Sequence, residues 1–234
     1  ARRRRSNCVI LTDTDLFPPG TVSLNGLKIY GEESGKVISY AATMAHASQS
    51  GLSRLFDTLL EGEGGRLEPL DDLSFYEEGG VSGLIHGETV LFGTAAFCRK
   101  MHVTMPGGLS LKTGAFLAVD GTLIAVFAVK YTAAENVDWA LHALKRSRIT
   151  PVLAVRDGSI TPALLKRKFG TDARAVYPTI STRLALSEKD GEHPYALLYR
   201  EGLMPYAEIA VGSKRLVHAV RVAAVLSLGS SAVS

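Results

Sequence analysis

The chain has 234 residues, of which 46% are hydrophobic, so it is long enough for one large domain or two small ones, each with an apolar core. Its 26 basic and 23 acidic side chains nearly balance, and the net charge of +3 argues against a nucleic-acid partner. The two cysteines, Cys8 and Cys98, lack the spacing of a zinc site or a disulfide framework. No stretch reaches the roughly 18 uninterrupted apolar residues of a membrane span.

The first predicted element is a buried parallel strand, an apolar run from Cys8 to Leu11 that leads into two aspartates, Asp13 and Asp15. In open α/β sheets, ligands bind at the carboxyl ends of the strands. A phosphate-transferring enzyme needs one carboxylate to attack phosphorus and a second to handle protons, and both can help to hold Mg²⁺. Asp13 and Asp15 are therefore candidate catalytic and metal-binding residues. The alternative is that they cap a turn or a helix.

The middle of the sequence indicates a helix followed by short strands. A helix is predicted over residues 33–60, and the glycine-interrupted apolar segments of residues 74–97 predict strands and a hairpin. Gly80 and Gly83 in this segment lack a Cβ, which would let a nucleotide approach the backbone, and an ordinary glycine-rich turn is the alternative. The dipeptide that begins at Asp120 is Asp-Gly between apolar runs, the strongest hairpin signal in the chain.

The last third of the chain alternates helix and strand. Apolar residues at helical spacing predict a helix over residues 133–148, and a strand is predicted over residues 151–155. The next helix has Thr161 as its N-cap, Pro162 at its first position and Gly170 just past its end. This order of elements implies a doubly wound parallel sheet.

Asp157 follows one of these predicted strands, as Asp13 follows the first. If the two strands are neighbours in the sheet, their carboxyl ends bring Asp13 and Asp157 side by side. The alternative is that Asp157 and Gly158 form an ordinary turn. We also expect the strands after Leu123 to lie in the same sheet as the first strand.

Taken in order, these segments resemble the cytosolic phosphorylation and nucleotide-binding domains of P-type ATPases, particularly the heavy-metal-transporting group, from Val9 to about Val225. Residues 40–52 look like the family's helix that carries the SEHPL motif, and residues 80–93 look like its glycine-rich hairpin. Residues 124–170 look like the run that contains the family's TGD motif and the following helix.

The resemblance implies an α/β fold, with a haloacid-dehalogenase-like doubly wound parallel sheet and an inserted α+β nucleotide-binding-type domain. In that arrangement, residues 1–26 and 120–234 form a discontinuous phosphorylation-type domain. Residues 27–119 form the inserted domain.

The resemblance also implies roles for the acidic residues. Where the family has DKTGTLT, this chain has DTDLFPP, which keeps the aspartate that receives the γ-phosphate, Asp13, and loses the lysine and the glycine. The TGD motif corresponds to residues 155–157 and keeps only Asp157, whereas the magnesium-binding GDGxND signature falls near residues 199–207 and lacks its aspartates. Asp13, Asp15 and Asp157 are thus the implied catalytic and Mg²⁺-binding residues.

The nucleotide-binding residues are implied in the same way. The SEHP motif corresponds to SQSG at residues 48–51, so Ser50 replaces the histidine that contacts adenine in the family. Gln49 and Ser50, together with Gly80 and Gly83, are the implied contacts of a nucleotide.

The function implied is that of a cytosolic phosphorylation and nucleotide-binding unit of a membrane protein, flanked by membrane segments in its parent chain. Its cofactors would be ATP and Mg²⁺, with nucleotide binding weak or lost and aspartyl phosphorylation weakened or lost. One alternative is an active haloacid-dehalogenase-like phosphohydrolase that uses Asp13 and Asp15. Another is a non-catalytic regulatory or interaction module.

Overall fold

The computed structural model describes residues 8–106, 113–188, 203–204, 207–208 and 211–212 of the chain. The strands of the described residues are β1 Cys8–Leu11, β2 Val22–Ile29, β3 Asp71–Tyr76, β4 Gly80–Ile85, β5 Glu88–Gly93, β6 Gly114–Val119, β7 Thr122–Tyr131 and β8 Thr150–Leu153. The helices are α1 Asp13–Leu16, α2 Ser34–Ser48, α3 Ser53–Gly62, α4 Ala95–Lys100, α5 Glu135–Arg146, α6 Pro162–Phe169 and α7 Ile180–Glu188. The fold is mixed α/β.

An antiparallel sheet is the largest element of the described part of the chain. Its six strands run in the order β2-β7-β6-β5-β4-β3. The turn between β6 and β7 has positive φ at both Asp120 (46°) and Gly121 (80°), and Val119 lies opposite Thr122. This is the geometry of a two-residue hairpin turn, which favours Asp-Gly. The hairpin predicted there is confirmed, as are the strands predicted within residues 74–97.

The antiparallel sheet has helices on both faces. On one face, α2 and α3 pack against it, and the ring of Phe56 meets those of Phe92 and Phe127 edge to face, with centroids 5.3 and 4.9 Å apart. On the other face lies α4, whose Phe97 joins a second cluster that contains Phe116. Every residue of β6 is consequently buried, as expected for a strand covered on both faces.

The single helix predicted over residues 33–60 is wrong, because two helices occupy this stretch. The break comes at Gln49, whose φ of 53° is left-handed and ends α2. The hydroxyl of Ser53 then donates hydrogen bonds to the carbonyl oxygens of Ala45 (2.9 Å) and Ser50 (2.8 Å), which fixes the turn into α3. This turn carries Gly51 to the carboxyl end of β1, where it contacts Asp13.

A separate parallel pair joins β1 to β8, with Cys8 opposite Thr150 and Leu11 opposite Leu153. Val176 adds a single parallel bridge to Val152. The helices predicted around this pair are confirmed as α5 and α6. Thr161 caps α6 by accepting a hydrogen bond from the Leu164 amide, and Gly170 ends the helix with a left-handed φ of 66°.

The prediction that the strands after Leu123 share a sheet with the first strand is confirmed for β8, which pairs with β1, and wrong for β7. β7 pairs with β6 through the Asp-Gly turn and with β2 on its other side. The antiparallel sheet therefore begins at Val22 and includes residues up to Tyr131, so it crosses both predicted domain boundaries. The doubly wound sheet and the division into residues 1–26 with 120–234 and 27–119 stay predictions. None of the described helices is both long and apolar enough to span a bilayer.

Candidate functional site

Asp13 lies at the carboxyl end of β1, as the first residue of α1, and only 5% of it is exposed. Its Oδ1 accepts a hydrogen bond from the backbone N–H of Asp157 (3.1 Å). Its Oδ2 accepts one from Gly51 and one from Arg156, both at 3.2 Å. Backbone amides from the α2–α3 turn and from the segment after β8 thus converge on one carboxylate.

Asp157 follows β8 and is 4% exposed. Its Oδ1 accepts a hydrogen bond from the amide of Ser159 (2.9 Å), and its Oδ2 accepts one from the hydroxyl of Tyr131, the last residue of β7. This bond ties the antiparallel sheet to the parallel pair. The structure therefore brings Asp13 and Asp157 together, as the neighbouring strand ends predict.

Burial raises the pKa of Asp13 to about 7, and the negative charge of Asp157 contributes to this rise, against the lowering effect of the three amides. Burial also raises the pKa of Asp157, while hydrogen bonds from Tyr131 and Ser159 lower it. The pKa of Tyr131 is raised by burial first and then by Asp157, so its hydroxyl stays protonated as a donor. Near neutral pH Asp13 is therefore protonated part of the time, because two buried like charges resist ionising together.

Asp15 does not join this pair. Its Oδ2 accepts hydrogen bonds from both the backbone N–H and the hydroxyl of Thr12, each at 2.8 Å. A carboxylate in the first turn of a helix that accepts a hydrogen bond from the residue before the helix acts as a cap of that helix. The structure thus gives Asp15 the capping role that the sequence left open.

The Mg²⁺ site predicted at Asp13, Asp15 and Asp157 stays a prediction. Within residues 8–106 and 113–188 and the short described pieces after them, no three His, Cys, Asp or Glu side chains are grouped as ligands. Asp13 and Asp157 accept N–H and O–H groups, and Mg²⁺ in proteins is commonly held by one or two carboxylates together with water and phosphate oxygens. The segment near residues 199–207, which corresponds to the family's magnesium signature, lies mostly outside the described residues.

The predicted nucleotide contacts occupy different surroundings. Gln49 is exposed, whereas Ser50 is buried and its hydroxyl has no hydrogen-bond partner among the described residues. A cavity of about 30 Å³ lies between Ser50 and Gly80 and extends to Arg156 and Asp157. That volume holds on the order of two water molecules and is far too small for a nucleotide base.

The glycines of the hairpin are packed against protein atoms. A Cβ built on Gly80 would lie 2.0 Å from the ring of Phe97, and one on Gly83 would lie 2.6 Å from a methyl group of Leu70. A Cβ on Gly158 would lie 2.2 Å from the Cα of Gly79, so the hairpin and the loop after Asp157 touch backbone to backbone. Protein atoms therefore fill the space beside these glycines that the sequence analysis reserved for a nucleotide.

Arg156 is a site residue that the sequence did not single out. Its guanidinium donates to the hydroxyl of Ser187 (2.9 Å), the carbonyl of Ser48 (3.3 Å) and the carboxylate of Glu188 (3.2 Å). It thereby links the end of α2 to α7 across the end of β8. Beside it lies a second cavity of about 140 Å³, lined by Thr12, Asp13, Thr14, Gln49, Ser50, Gly51, Ala154, Arg156 and Ser187.

Arg183 is the other such residue, and it is fully buried on α7. It donates to the hydroxyl of Tyr177 (2.5 Å), contacts the carbonyl of Val155 (3.5 Å) and forms an ion pair with Glu77 (3.6 Å). Its Nε has no hydrogen-bond partner among the described residues. Arg183 is the one charged residue within the apolar and small residues 180–187, and this was the sequence signal that could have indicated a buried arginine.

Comparison with solved structures gives matches to transport ATPases. The N-domain of HMA8, a copper-transporting P-type ATPase, matches with 16% identity and a TM-score of 0.40 over 45% of this chain and 98% of that chain. The catalytic domain of the CPx-ATPase CopB-B matches with 15% identity and a TM-score of 0.46 over 73% of this chain. A zinc-transporting PIB-type ATPase matches with 10% identity and a TM-score of 0.39 over 70% of this chain.

The described structure is thus similar, at 10–16% identity, to domains of heavy-metal P-type ATPases. It spans 60% of the matched CopB-B chain and 28% of the matched zinc-transporter chain. No protein-family model matches it. No curated protein matches it either.

Proposed function

We propose that this chain is the cytosolic phosphorylation and nucleotide-binding unit of a P-type-ATPase-like membrane protein in which transfer of phosphate from ATP to Asp13 is lost. The observation that supports this most is the enclosure of Asp13. The carboxylate is buried, both of its oxygens accept backbone N–H groups, and its pKa is raised to about 7.

A carboxylate that attacks phosphorus needs a free lone pair in line with the phosphate and a positive charge nearby to offset the charge of the transition state. Gly51 occupies one side of the carboxylate, because its backbone N–H donates to Oδ2 of Asp13 at 3.2 Å. The nearest titrating partner is the acidic Asp157, which raises the pKa of Asp13 and so lowers its ionised fraction. Asp13 is retained here as a hydrogen-bond acceptor that organises three segments of the fold.

Nucleotide binding is weakened in this proposal. Ser50 has no imidazole to offer a base, and Phe97 and Leu70 fill the space beside Gly80 and Gly83. The predicted cofactors ATP and Mg²⁺ therefore have low affinity or none.

A haloacid-dehalogenase-like phosphohydrolase is the second candidate. The cavity of about 140 Å³ beside Asp13 favours it, because Thr12, Thr14 and Arg156 supply polar groups of the kind that bind phosphate. The position of Asp15 disfavours it, since the second carboxylate is bonded to Thr12 and does not line that cavity.

Phosphorylation of the purified chain tests both candidates. After incubation with γ-labelled ATP and Mg²⁺, we expect no acid-stable, hydroxylamine-sensitive label on the wild type, with a competent P-type ATPase as the assay control. Label on the wild type and on Asp15→Asn that is absent from Asp13→Asn would show that the proposal is wrong. Hydrolysis of p-nitrophenyl phosphate that requires both Asp13 and Asp15 would establish the second candidate.

The non-catalytic regulatory module also predicts an unphosphorylated Asp13. In that alternative the inserted domain is a protein-interaction surface that binds no nucleotide. Binding of ATP to the wild type that is abolished by a side chain introduced at Gly80 or Gly83 would count against it. Apolar spans of about 20 residues in the sequence on both sides of this segment would support the membrane-protein part of the proposal.

A further inference from the structure

A basic cleft lies at the amino ends of the parallel strands β1 and β8, whereas Asp13 lies at their carboxyl ends. The cleft has a volume of about 570 Å³ and is lined by His142, Lys145, Arg146, Arg148, Ile149, Thr150, Ala173 and Arg174. The end of α5 and the loop before β8 form one wall, and the loop after α6 forms the other. The amino end of β1 is next to it, because Cys8 pairs with Thr150.

The positive charge of the cleft is concentrated. Lys145, Arg146, Arg148 and Arg174 are all exposed. Among the described residues, no carboxylate lies within ion-pairing distance of Lys145, Arg146 or Arg174.

The negative groups near the cleft are few. Asp138 pairs with His142 at 3.5 Å, and Asp172 accepts a hydrogen bond from the backbone N–H of Arg174. The carboxyl end of α5 adds the equivalent of about half a negative charge. The cations outnumber these groups, so the cleft has a net positive potential.

We propose that this cleft binds clustered phosphate groups, carried by an anionic lipid headgroup or by a soluble phosphorylated molecule. Arginine and lysine together recognise phosphate through charge-assisted hydrogen bonds. A concave site of several hundred cubic ångströms suits a small ligand with more than one phosphate or the neighbouring headgroups of an anionic lipid surface, whose several phosphates would match its several cations. This inference does not rest on the proposed function, because it involves neither Asp13 nor Asp157.

Two probes distinguish the two sources. The full chain is titrated with inorganic pyrophosphate at low salt, with the fluorescence of Trp139, the one tryptophan and an exposed residue of α5, as the signal. In parallel it is sedimented with vesicles of phosphatidylcholine containing about a third phosphatidylglycerol, and with vesicles of phosphatidylcholine alone. Binding of pyrophosphate indicates a soluble ligand, and binding to the anionic vesicles alone indicates a headgroup.

A matched pair of double variants tests the position of the site. Lys145→Glu with Arg146→Glu reverses two charges in the last turn of α5, and Lys166→Glu with Arg167→Glu reverses two in the last turn of α6. Both change the net charge equally, and circular dichroism checks that both fold. We expect the first pair to weaken binding by about tenfold or more and the second by less than about threefold.

Three results would overturn the proposal. The first is that neither pyrophosphate nor the anionic vesicles bind to the wild type. The second is an equal loss in both double variants, which would mean that only net charge matters. The third is binding of RNA or DNA that pyrophosphate does not displace.

Discussion

The antiparallel sheet and the carboxylate edge, by which we mean Asp13, Asp157 and the groups bonded to them, are stabilised in different ways. The sheet is covered on both faces by apolar side chains, with Phe56 at the centre of one cluster and Phe97 in the other. The carboxylate edge buries two acids whose pKa values are raised. Hydrophobic burial is nearly independent of pH, whereas buried carboxylates make stability depend on it.

The two regions also depend on different groups. The stability of the sheet needs only apolar packing. The carboxylate edge surrounds two aspartates with backbone amides and a tyrosine hydroxyl. The two regions should therefore respond differently to substitution and to pH, and the predictions that follow test that difference.

Phe56→Ala should have the largest effect. Phe56 is fully buried between Phe92 and Phe127, and removing such a ring costs about 3–5 kcal/mol of unfolding free energy. Urea denaturation of wild type and variant at pH 5 and pH 8 measures the cost, which we expect to be the same at both. The control is Trp139→Ala, which removes an exposed aromatic ring and should cost about 1 kcal/mol or less.

Asp13→Asn should remove a pH dependence of the carboxylate edge. The pKa of Asp13 is about 7 in the fold against 3.8 for an unperturbed aspartate, so the folded state holds the proton more tightly. Its contribution to stability is complete below pH 4 and is lost as the pH rises through 7, by on the order of 4 kcal/mol.

Relative to the wild type, Asp13→Asn should therefore gain stability between pH 4 and pH 8. Chemical denaturation across this range measures the difference in unfolding free energy. Phe56→Ala serves as the comparison, since its difference from wild type should stay flat. A flat difference for Asp13→Asn as well would contradict the burial of an ionisable pair.

The sequence predicted those parts of the molecule that depend on local patterns. The hairpin at Asp120, the caps of α6 and the placement of Asp13 and Asp157 at strand ends all follow from residues close together in the chain. Which strands pair is a non-local matter, and β7 reads as an apolar strand that suits either sheet. The sequence therefore predicted its existence and missed its partners.

The site was predicted only in part, because several of its contacts join residues that are far apart in the sequence. A DxD pattern cannot show that the Asp15 carboxylate accepts a hydrogen bond from Thr12, because this bond depends on where α1 begins. The contact of Gly51 with Asp13 depends on the left-handed residue Gln49, which lies inside the single helix predicted over residues 33–60. Arg183 interacts with Glu77 more than a hundred residues away, and no spacing rule connects the two.

Gly158→Ala tests the contact between the two regions. A Cβ at Gly158 would lie 2.2 Å from the Cα of Gly79, and backbone on both sides leaves little room to adjust. Overpacking of this kind costs about 1–3 kcal/mol. Thermal unfolding measures it, with Gly35→Ala in α2 as the control. No atom lies within 4 Å of a Cβ at Gly35, and alanine there should stabilise by up to about 1 kcal/mol.

Ser50→Ala should have the smallest effect, and its sign is informative. The hydroxyl of Ser50 is buried beside the cavity of about 30 Å³ and has no hydrogen-bond partner among the described groups. Removing an unsatisfied buried hydroxyl relieves its desolvation, so we expect a gain of about 1 kcal/mol or less in urea denaturation.

The matched control is Ser48→Ala, two residues earlier on the same turn. Ser48 is also buried, but its hydroxyl donates to the carbonyl of Ala45 at 2.8 Å, so its removal should cost about 1 kcal/mol. Opposite signs for the two serines would show that the turn between α2 and α3 carries an unpaired polar group at Ser50. A loss at both positions would instead mean that the cavity holds water bonded to Ser50, because a water molecule there would supply the missing partner.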